Sequence, residues 1–294
     1  MPSKISKTKL EHSWQFNAIG TVWSIETTRE LPLKIKKQIY KCIDEFDSIY
    51  SRFRNDSVVS HMSKRSGTFV LGNDSEKLSR FYRQLYDVTN GSLTPFIGGG
   101  LVAAGYDKDY SLIPNAPLLA PLWNDDFVWI GDKIITKQPV VLDVGAAGKG
   151  LLVDKVANIL EAGGIFQYLI DASGDIKHKG SETQIIGLEN PYDIKKVVGI
   201  YSLRNASLCA SASNRRKWAE GWHHLLDGRT GKPTNDVIAT WVVSSDTMIA
   251  DGLATALFFI NAETLSMITD FQSIRLLADG KIEQSKLFVG QLYI

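Results

Sequence analysis

Apolar positions alternate with polar ones in short stretches of the chain and recur every three or four residues in longer ones, which predicts both strands and helices. Residues 15–26 read as strand, and Pro32 then stands where a helix commonly begins. The helix that follows carries Ile35, Ile39, Cys42, Phe46, Ile49 and Phe53 on one stripe, with lysines opposite. Asn73 with Glu76 three residues on predicts a capping box, opening a second helix with Leu78, Phe81 and Leu85 on one face. Residues 98–125 are rich in Gly, Pro and Asn and read as a long loop, and Gly98-Gly99-Gly100 within it lacks dinucleotide-fold spacing.

From Val140 the pattern becomes a strand (Val140 to Val144), a small-residue turn (Gly145 to Gly150) and a helix marked by Leu151, Leu152, Val156, Ile159 and Leu160. Strands are predicted around 167–171, 185–189, 196–203 and 238–244, then a helix over about 247–260 and a hairpin turning at Asp279-Gly280. The fold class is therefore α+β, mixed, with largely antiparallel sheets packed with helices. No repeat or long polar linker interrupts it. The organisation expected is a tail over 1–14 and one domain over 15–294, divided at most into two subdomains.

Composition narrows the class without changing that picture. With 294 residues, 44% apolar and 22% charged, the chain is long enough for a sizeable core and a poor fit to disorder or coiled coil. A net charge of +1 implies no bulk attraction to nucleic acid or an anionic membrane, so any phosphate site must be built locally. No run reaches the ~18 apolar residues of a spanning helix. The basic first residues lead into no apolar export segment or lipoprotein cysteine, and Cys42 and Cys209 lack metal-type spacing. A cytoplasmic, reduced protein is the expectation; loss of a leader from the start of the chain would change it.

Three segments carry candidate chemistry. Gly145 to Gly150 gathers backbone N–H groups, a helix N-terminus and the ammonium of Lys149, which suits a phosphate or pyrophosphate; it is equally a tight turn packed through small residues. It is not a P-loop, because too few residues separate its first glycine from the Gly-Lys pair. Asp251 and Thr255 stand at i and i+4 on one helix face, where both reach a single hard cation, or where the acid serves the helix dipole and the hydroxyl a backbone carbonyl. His223-His224 precedes Asp227 and a Gly-Arg-Thr-Gly-Lys-Pro turn; adjacent strand residues point to opposite faces, so one histidine at most enters a given site, and a structural role is as well supported.

Taken in order, these segments resemble the FAD:protein FMN transferase family, the ApbE-like flavin transferases, from about Phe16 to Phe259. Ile19-Gly20-Thr21 resembles the family's Met-Gly-Thr, Ser51 to Ser57 its Ser-x-(Tyr/Phe)-x-x-x-Ser, and Tyr86-Asp87-Val88-Thr89 its Phe-Asp-x-Thr. Asp143 to Gly150 is similar to Asp-x-Gly-Gly-x-x-Lys-Gly, and Asp171 to Asp175 to Asn-Ala-Gly-Gly-Asp. His224 to Gly231 resembles His-Ile-Ile-Asp-Pro-Arg-Thr-Gly, and Ala250-Asp251 through Thr255 matches Ala-Asp-x-x-x-Thr. Ile19 replaces the usual Met, Gly228 the usual Pro, and Ser211 to Asn214 a Thr-Ser-Gly-Asp.

The resemblance implies an ApbE-like fold and a Mg²⁺-dependent enzyme that moves the FMN half of FAD onto a Ser or Thr hydroxyl of an acceptor flavoprotein, releasing AMP. It places the cation on Asp251, Thr255 and the backbone oxygen of Ala146. Contacts to FAD fall to Ile19, Phe53, Leu85, Tyr86, Asp87, Asp143, Lys149 and Leu226. His224 is then the base that takes the acceptor's proton. Two alternatives share the site: an FAD pyrophosphatase giving FMN and AMP, and an FAD-binding protein without turnover.

Overall fold

The computed structural model describes residues 9–214 and 216–293. The strands are β1 (His12–Ala18), β2 (Thr21–Thr27), β3 (Gly67–Val70), β4 (Phe127–Ile130), β5 (Lys133–Thr136), β6 (Tyr168–Asp171), β7 (Asp175–Lys179), β8 (Gln184–Asn190), β9 (Asp193–Leu203) and β10 (Ser207–Ala212). They continue as β11 (Lys217–Trp218), β12 (Trp222–His223), β13 (Leu226–Asp227), β14 (Lys232–Pro233), β15 (Val237–Ser244), β16 (Gln272–Leu277), β17 (Ile282–Gln284) and β18 (Gln291–Leu292). The helices are α1 (Leu33–Tyr50), α2 (Val58–Met62), α3 (Ser75–Val88), α4 (Gly98–Ala103), α5 (Gly148–Ala162), α6 (Thr247–Ala256) and α7 (Ala262–Leu265).

Eight strands form one sheet in the order β1-β2-β6-β7-β10-β15-β16-β17, antiparallel throughout. The expected fold class holds. One face of the sheet carries α1, α5 and α6 over a core that includes Trp23, Ile25, Tyr168 and Ile170. The other face carries Ile176, Leu208, Ala239 and Trp241, which meet Leu188, Tyr201 and Leu203 of a three-stranded sheet ordered β18-β9-β8. Burying apolar side chains on both faces excludes water from the middle strands, and any polar group there needs a partner. None of the helices among the described residues is long and apolar enough to cross a membrane.

Most predicted elements form, with differences of physical origin. In α1, Ile35, Ile39, Cys42 and Phe46 are buried as the stripe requires, but Ile43 and Tyr50 complete it. Ile49 is half-buried, and Phe53 lies past the helix end, 39% exposed. The capping box at Asn73 does not form: α3 starts after Asp74, whose carboxylate pairs with Lys155, while Glu76 pairs with Arg80. Val140 to Val144 forms no strand; Val140 N–H donates to Met62 O (3.1 Å) and Asp143 N–H to Pro95 O (2.7 Å), so its apolar run is buried by packing between segments. The expected loop over 98–125 contains α4, and a Cβ on Gly98 would stand 2.6 Å from Val141 O, so glycine permits that approach. The helix predicted over 247–260 closes at Ala256. Residues 12–14, expected in the tail, belong to β1; residues 1–8 of that tail lie outside the described residues.

Candidate active site

The start of α5, the middle of α6 and the strands β7 and β10 converge on one cleft of about 630 Å³, within the range of small-molecule sites. Two interactions hold this junction. Asp154 of α5 accepts from Thr247 N–H (3.2 Å), Thr247 Oγ1 (2.7 Å) and Met248 N–H (3.0 Å), satisfying donors at the start of α6 from a neighbouring helix. Gly150 lies so close to α6 that a Cβ there would fall 2.4 Å from Thr247 O. Its N–H donates to Asp251 Oδ2 at 2.9 Å, fixing that carboxylate within the cleft.

Asp251 is 4% exposed, and Asp175 of β7 is fully buried beside it. Burial, with Asp175 as the next cause, raises the Asp251 pKa well above the carboxylate range; burial likewise raises that of Asp175, against the pull of Lys149. Lys149 Nζ lies 3.1 Å from Asp175 Oδ2 and donates to Ala172 O (2.9 Å). Burial works to strip its proton, but Asp175 and Asp251 outweigh that and raise its pKa. Beyond that ion pair, the Asp175 carboxylate has no well-aligned hydrogen bond among the described residues. Two buried carboxylates thus share one ammonium, an excess of negative charge that attracts a proton or a cation.

The cleft wall also carries Ala146, Thr255, Asp143, Leu226 and His224. Asp143 Oδ1 accepts from Gly145 N–H (2.7 Å) and Oδ2 from Arg52 Nε (2.7 Å), bracing the turn that opens α5. Thr255 Oγ1 lies 3.4 Å from Ser211 Oγ across the cleft. Among the described residues no three His, Cys, Asp or Glu side chains are placed to hold a metal ion together. A cation here would rest on Asp251, a hydroxyl and a carbonyl, completed by ligand phosphate. That donor set fits magnesium, which keeps water and phosphate oxygens, better than a transition metal.

The two histidines part, though not by strand alternation: β12 ends at His223, and His224 lies in the bend that follows. His223 turns inward, its Nε2 2.8 Å from Thr234 O and its Nδ1 accepting from Leu225 N–H (3.2 Å). His224 lies on the cleft wall, with Nδ1 enclosed and no hydrogen-bond partner among the described residues. Its pKa is not near neutrality, as a solvated histidine's would be: burial first, then Arg216, lowers it to about 3. The ring is therefore neutral across the physiological range.

Seven residues singled out from sequence line the cleft: Asp143, Ala146, Lys149, His224, Leu226, Asp251 and Thr255. The rest lie elsewhere. Ile19 sits in the β1–β2 turn beside the lining residues Gly20 and Thr21, at a φ of 43° that a β-branched residue rarely adopts. Phe53 stacks on Tyr110 (5.6 Å, 7°) and meets the lining residue Tyr106 edge-on. Leu85 is core beneath Gly252, Tyr86 packs on Trp123, and Asp87 pairs with Arg83 (2.8 Å) on the surface of α3. Residue-by-residue reading passed over Asp175, Arg52, Tyr106 and Arg216. Asp175 ends the segment Asp171 to Asp175, which was its available signal; Arg52 fills a variable position between Ser51 and Phe53.

A profile of the ApbE family matches residues 19–277. The chain belongs to the ApbE family. Its relatives include the FAD:protein FMN transferase of Vibrio cholerae, 23% identical over 281 residues, covering 88% of this chain and 84% of the relative. A protein of the same name from Klebsiella pneumoniae is 31% identical over 137 residues, 45% of this chain and 43% of that one. Among solved structures, the flavin transferase ApbE from Vibrio cholerae superposes with a TM-score of 0.77 at 21% identity, over 94% of this chain and 97% of that one. The apbe protein from Thermotoga maritima gives 0.78 at 20% identity over the same shares. These likenesses extend the ApbE fold over nearly the whole chain. Gly228, where the family pattern has Pro, has a local cause: its N–H donates to Ser92 O (2.8 Å), and a Cβ would stand 2.6 Å from Thr94 Cγ2.

Proposed function

We propose that this ApbE-family chain is an FAD:protein FMN transferase that moves FMN from FAD to a Ser or Thr hydroxyl of an acceptor protein and releases AMP. The observation that carries this reading is that Lys149, Asp251 and a neutral His224 line one cleft, with Asp175 buried beside Lys149. Lys149 receives the pyrophosphate of FAD, because the N–H groups of Gly145, Gly148 and Gly150 are already engaged by Asp143, Val144 O and Asp251. Asp251, Thr255 and the Ala146 carbonyl would hold Mg²⁺, which when bound neutralises charge on the phosphoryl oxygens. The excess negative charge of the carboxylate pair supports a cation there.

In the transfer, the acceptor oxygen forms a bond to the FMN phosphorus as the bond from that phosphorus to the AMP oxygen breaks. His224 takes the acceptor's hydroxyl proton, and AMP leaves with the electron pair. The neutrality of the ring supports this role, because a neutral imidazole has a lone pair available to take a proton. The approaching pyrophosphate raises its proton affinity at the moment of need. FAD contacts are assigned to Asp143, Lys149 and Leu226 on the wall and to Ile19 and Phe53 beside it; Leu85 and Tyr86 act through the packing of α3, and Asp87 lies on its surface, paired with Arg83.

The test is incubation with FAD, Mg²⁺ and a candidate flavoprotein subunit, following an FMN-sized mass gain on the subunit together with AMP. AMP and free FMN without any modified protein would make the chain a pyrophosphatase instead.

A further inference from the structure

Strand β8 is an edge: in the sheet β18-β9-β8 it pairs with β9 on one side and, among the described residues, with no strand on the other. Alternate N–H and C=O groups of such a strand point outward, ready to pair with another chain. Natural edges are commonly blunted by Lys, Pro or short length. Gln184–Asn190 has seven residues, neither Lys nor Pro, and one charged side chain, Glu189.

Its position makes that openness useful. Ile186, Gly187 and Glu189 line the cleft, whereas no residue of β9 or β18 does. Ile186 and Gly187 are neighbours and point to opposite faces of the sheet. Ile186 packs among Ile176, Leu208 and Trp241, which also line the cleft, so the cleft opens on the inner face of this sheet beside its β8 edge, and Gly187, without a side chain, lines it through its backbone. Glycine at 187 is required inside the sheet, since a Cβ there would stand 2.8 Å from Val197 Cγ1 of β9, and it leaves the edge itself unobstructed. The rim beyond is anchored, since Asn214 Nδ2 donates to Pro191 O at 2.6 Å.

We propose that β8 is the acceptor-docking edge: the segment of the acceptor that carries the target hydroxyl adds to β8 as a further strand. Backbone pairing supplies the grip, and the two-residue period turns the target Ser or Thr toward the cleft while its neighbours point away. The partner is thus an extended polypeptide segment, read mainly through its main chain. This inference rests on the transferase reading above.

The probe is a pooled library of heptapeptides with one central Ser or Thr and randomised flanks, given to the full chain with FAD and Mg²⁺. Two quantities are read: FMN mass gain on peptides, and amide hydrogen exchange over residues 184–190. Flavinylated peptides are expected, with slower exchange in β8 than FAD alone produces. Methylating alternate backbone nitrogens of the best acceptor should lower transfer about 30-fold in one register and hardly at all in the other, because strand addition uses one edge of the peptide. Equal effects in both registers, or no protection beyond that given by FAD, would overturn the docking edge. So would transfer to an intact flavoprotein subunit but to no peptide. If nothing is flavinylated while AMP and free FMN appear, the transferase reading falls, and exchange over 184–190 with the pooled peptides still decides the edge separately.

Discussion

Lys149 Nζ stands 3.1 Å from Asp175 Oδ2, and that single ammonium is shared with the buried carboxylate of Asp251. The two acids come from different layers, β7 and α6, and only the antiparallel neighbours β7 and β10 under α6 bring them together. A group that arrives with positive charge relieves this arrangement, and a group that arrives with phosphate uses the ammonium. On the proposed function the site serves both at once.

Asp251→Ala leaves Thr255 and a carbonyl, too little charge to hold a hydrated divalent cation. AMP release at limiting Mg²⁺ should fall more than about 100-fold while the variant stays folded, as followed by circular dichroism. A folded variant with wild-type activity at limiting Mg²⁺ would remove Asp251 from the cation set.

Asp175→Asn keeps the shape and removes one of the two buried negative charges. FAD should then bind more tightly in EDTA, because less negative charge faces the pyrophosphate, while the Mg²⁺ concentration needed for half-maximal turnover rises. Fluorescence titration of FAD with and without Mg²⁺ separates the two effects. Weaker FAD binding in EDTA would mean that Asp175 acts chiefly by aiming Lys149.

The two histidines make an internal comparison. His224→Asn should slow single-turnover AMP release by about 10²–10⁴-fold with little change in FAD affinity. His223→Asn should spare the rate but destabilise the fold by about 1–3 kcal/mol, since Leu225 N–H and Thr234 O lose their partner. Equal, near-wild-type rates for both would take His224 out of the chemistry.

How much of this was legible depended on where apolar side chains alternate. The α5 and α6 stripes and strands β6, β8, β9 and β15 follow from it. Strands β7 and β10 do not, because Asp175, Lys177, His178, Ser207 and Cys209 occupy positions where period two predicts either apolar or solvent-facing groups. Their polar atoms are met inside the fold by residues distant in sequence, such as Lys177 Nζ on Asp154 Oδ1 at 2.8 Å and Ser207 Oγ on Thr247 Oγ1 at 2.7 Å. The order of short motifs made the site's floor readable. Its wall from β8 was not, since an open edge is a property of sheet order and not of residue pattern.

Gly228→Pro would restore the family's usual residue and should be harmful here. It removes the N–H that donates to Ser92 O at 2.8 Å and places a Cβ 2.6 Å from Thr94 Cγ2 and 2.8 Å from Gly91 O. A cost of about 2–4 kcal/mol is expected in urea unfolding. Unchanged stability would mean that the loop over 91–94 readily yields.

The acid limb of stability follows from His224. Its pKa is 6.5 ordinarily and about 3 in the folded protein, so between those values the unfolded chain takes up a proton that the folded chain refuses. Its contribution is fully present above pH 6.5 and is lost as the pH falls toward 3, at up to about 1.4 kcal/mol per pH unit. His223 and His178, also lowered by burial, act in the same direction. Asp175 and Asp251 act oppositely: with folded pKa values raised, they favour the folded state as pH falls and lose that contribution as pH rises. The comparison of wild type with His224→Asn cancels all four of those other groups. Urea melts of both proteins at pH 7.5 and pH ~4.5 should show the wild type losing more stability on acidification than the variant. Parallel losses would mean that His224 is already open to protons in the folded state, and that a neutral, enclosed imidazole is the wrong starting point for the transfer.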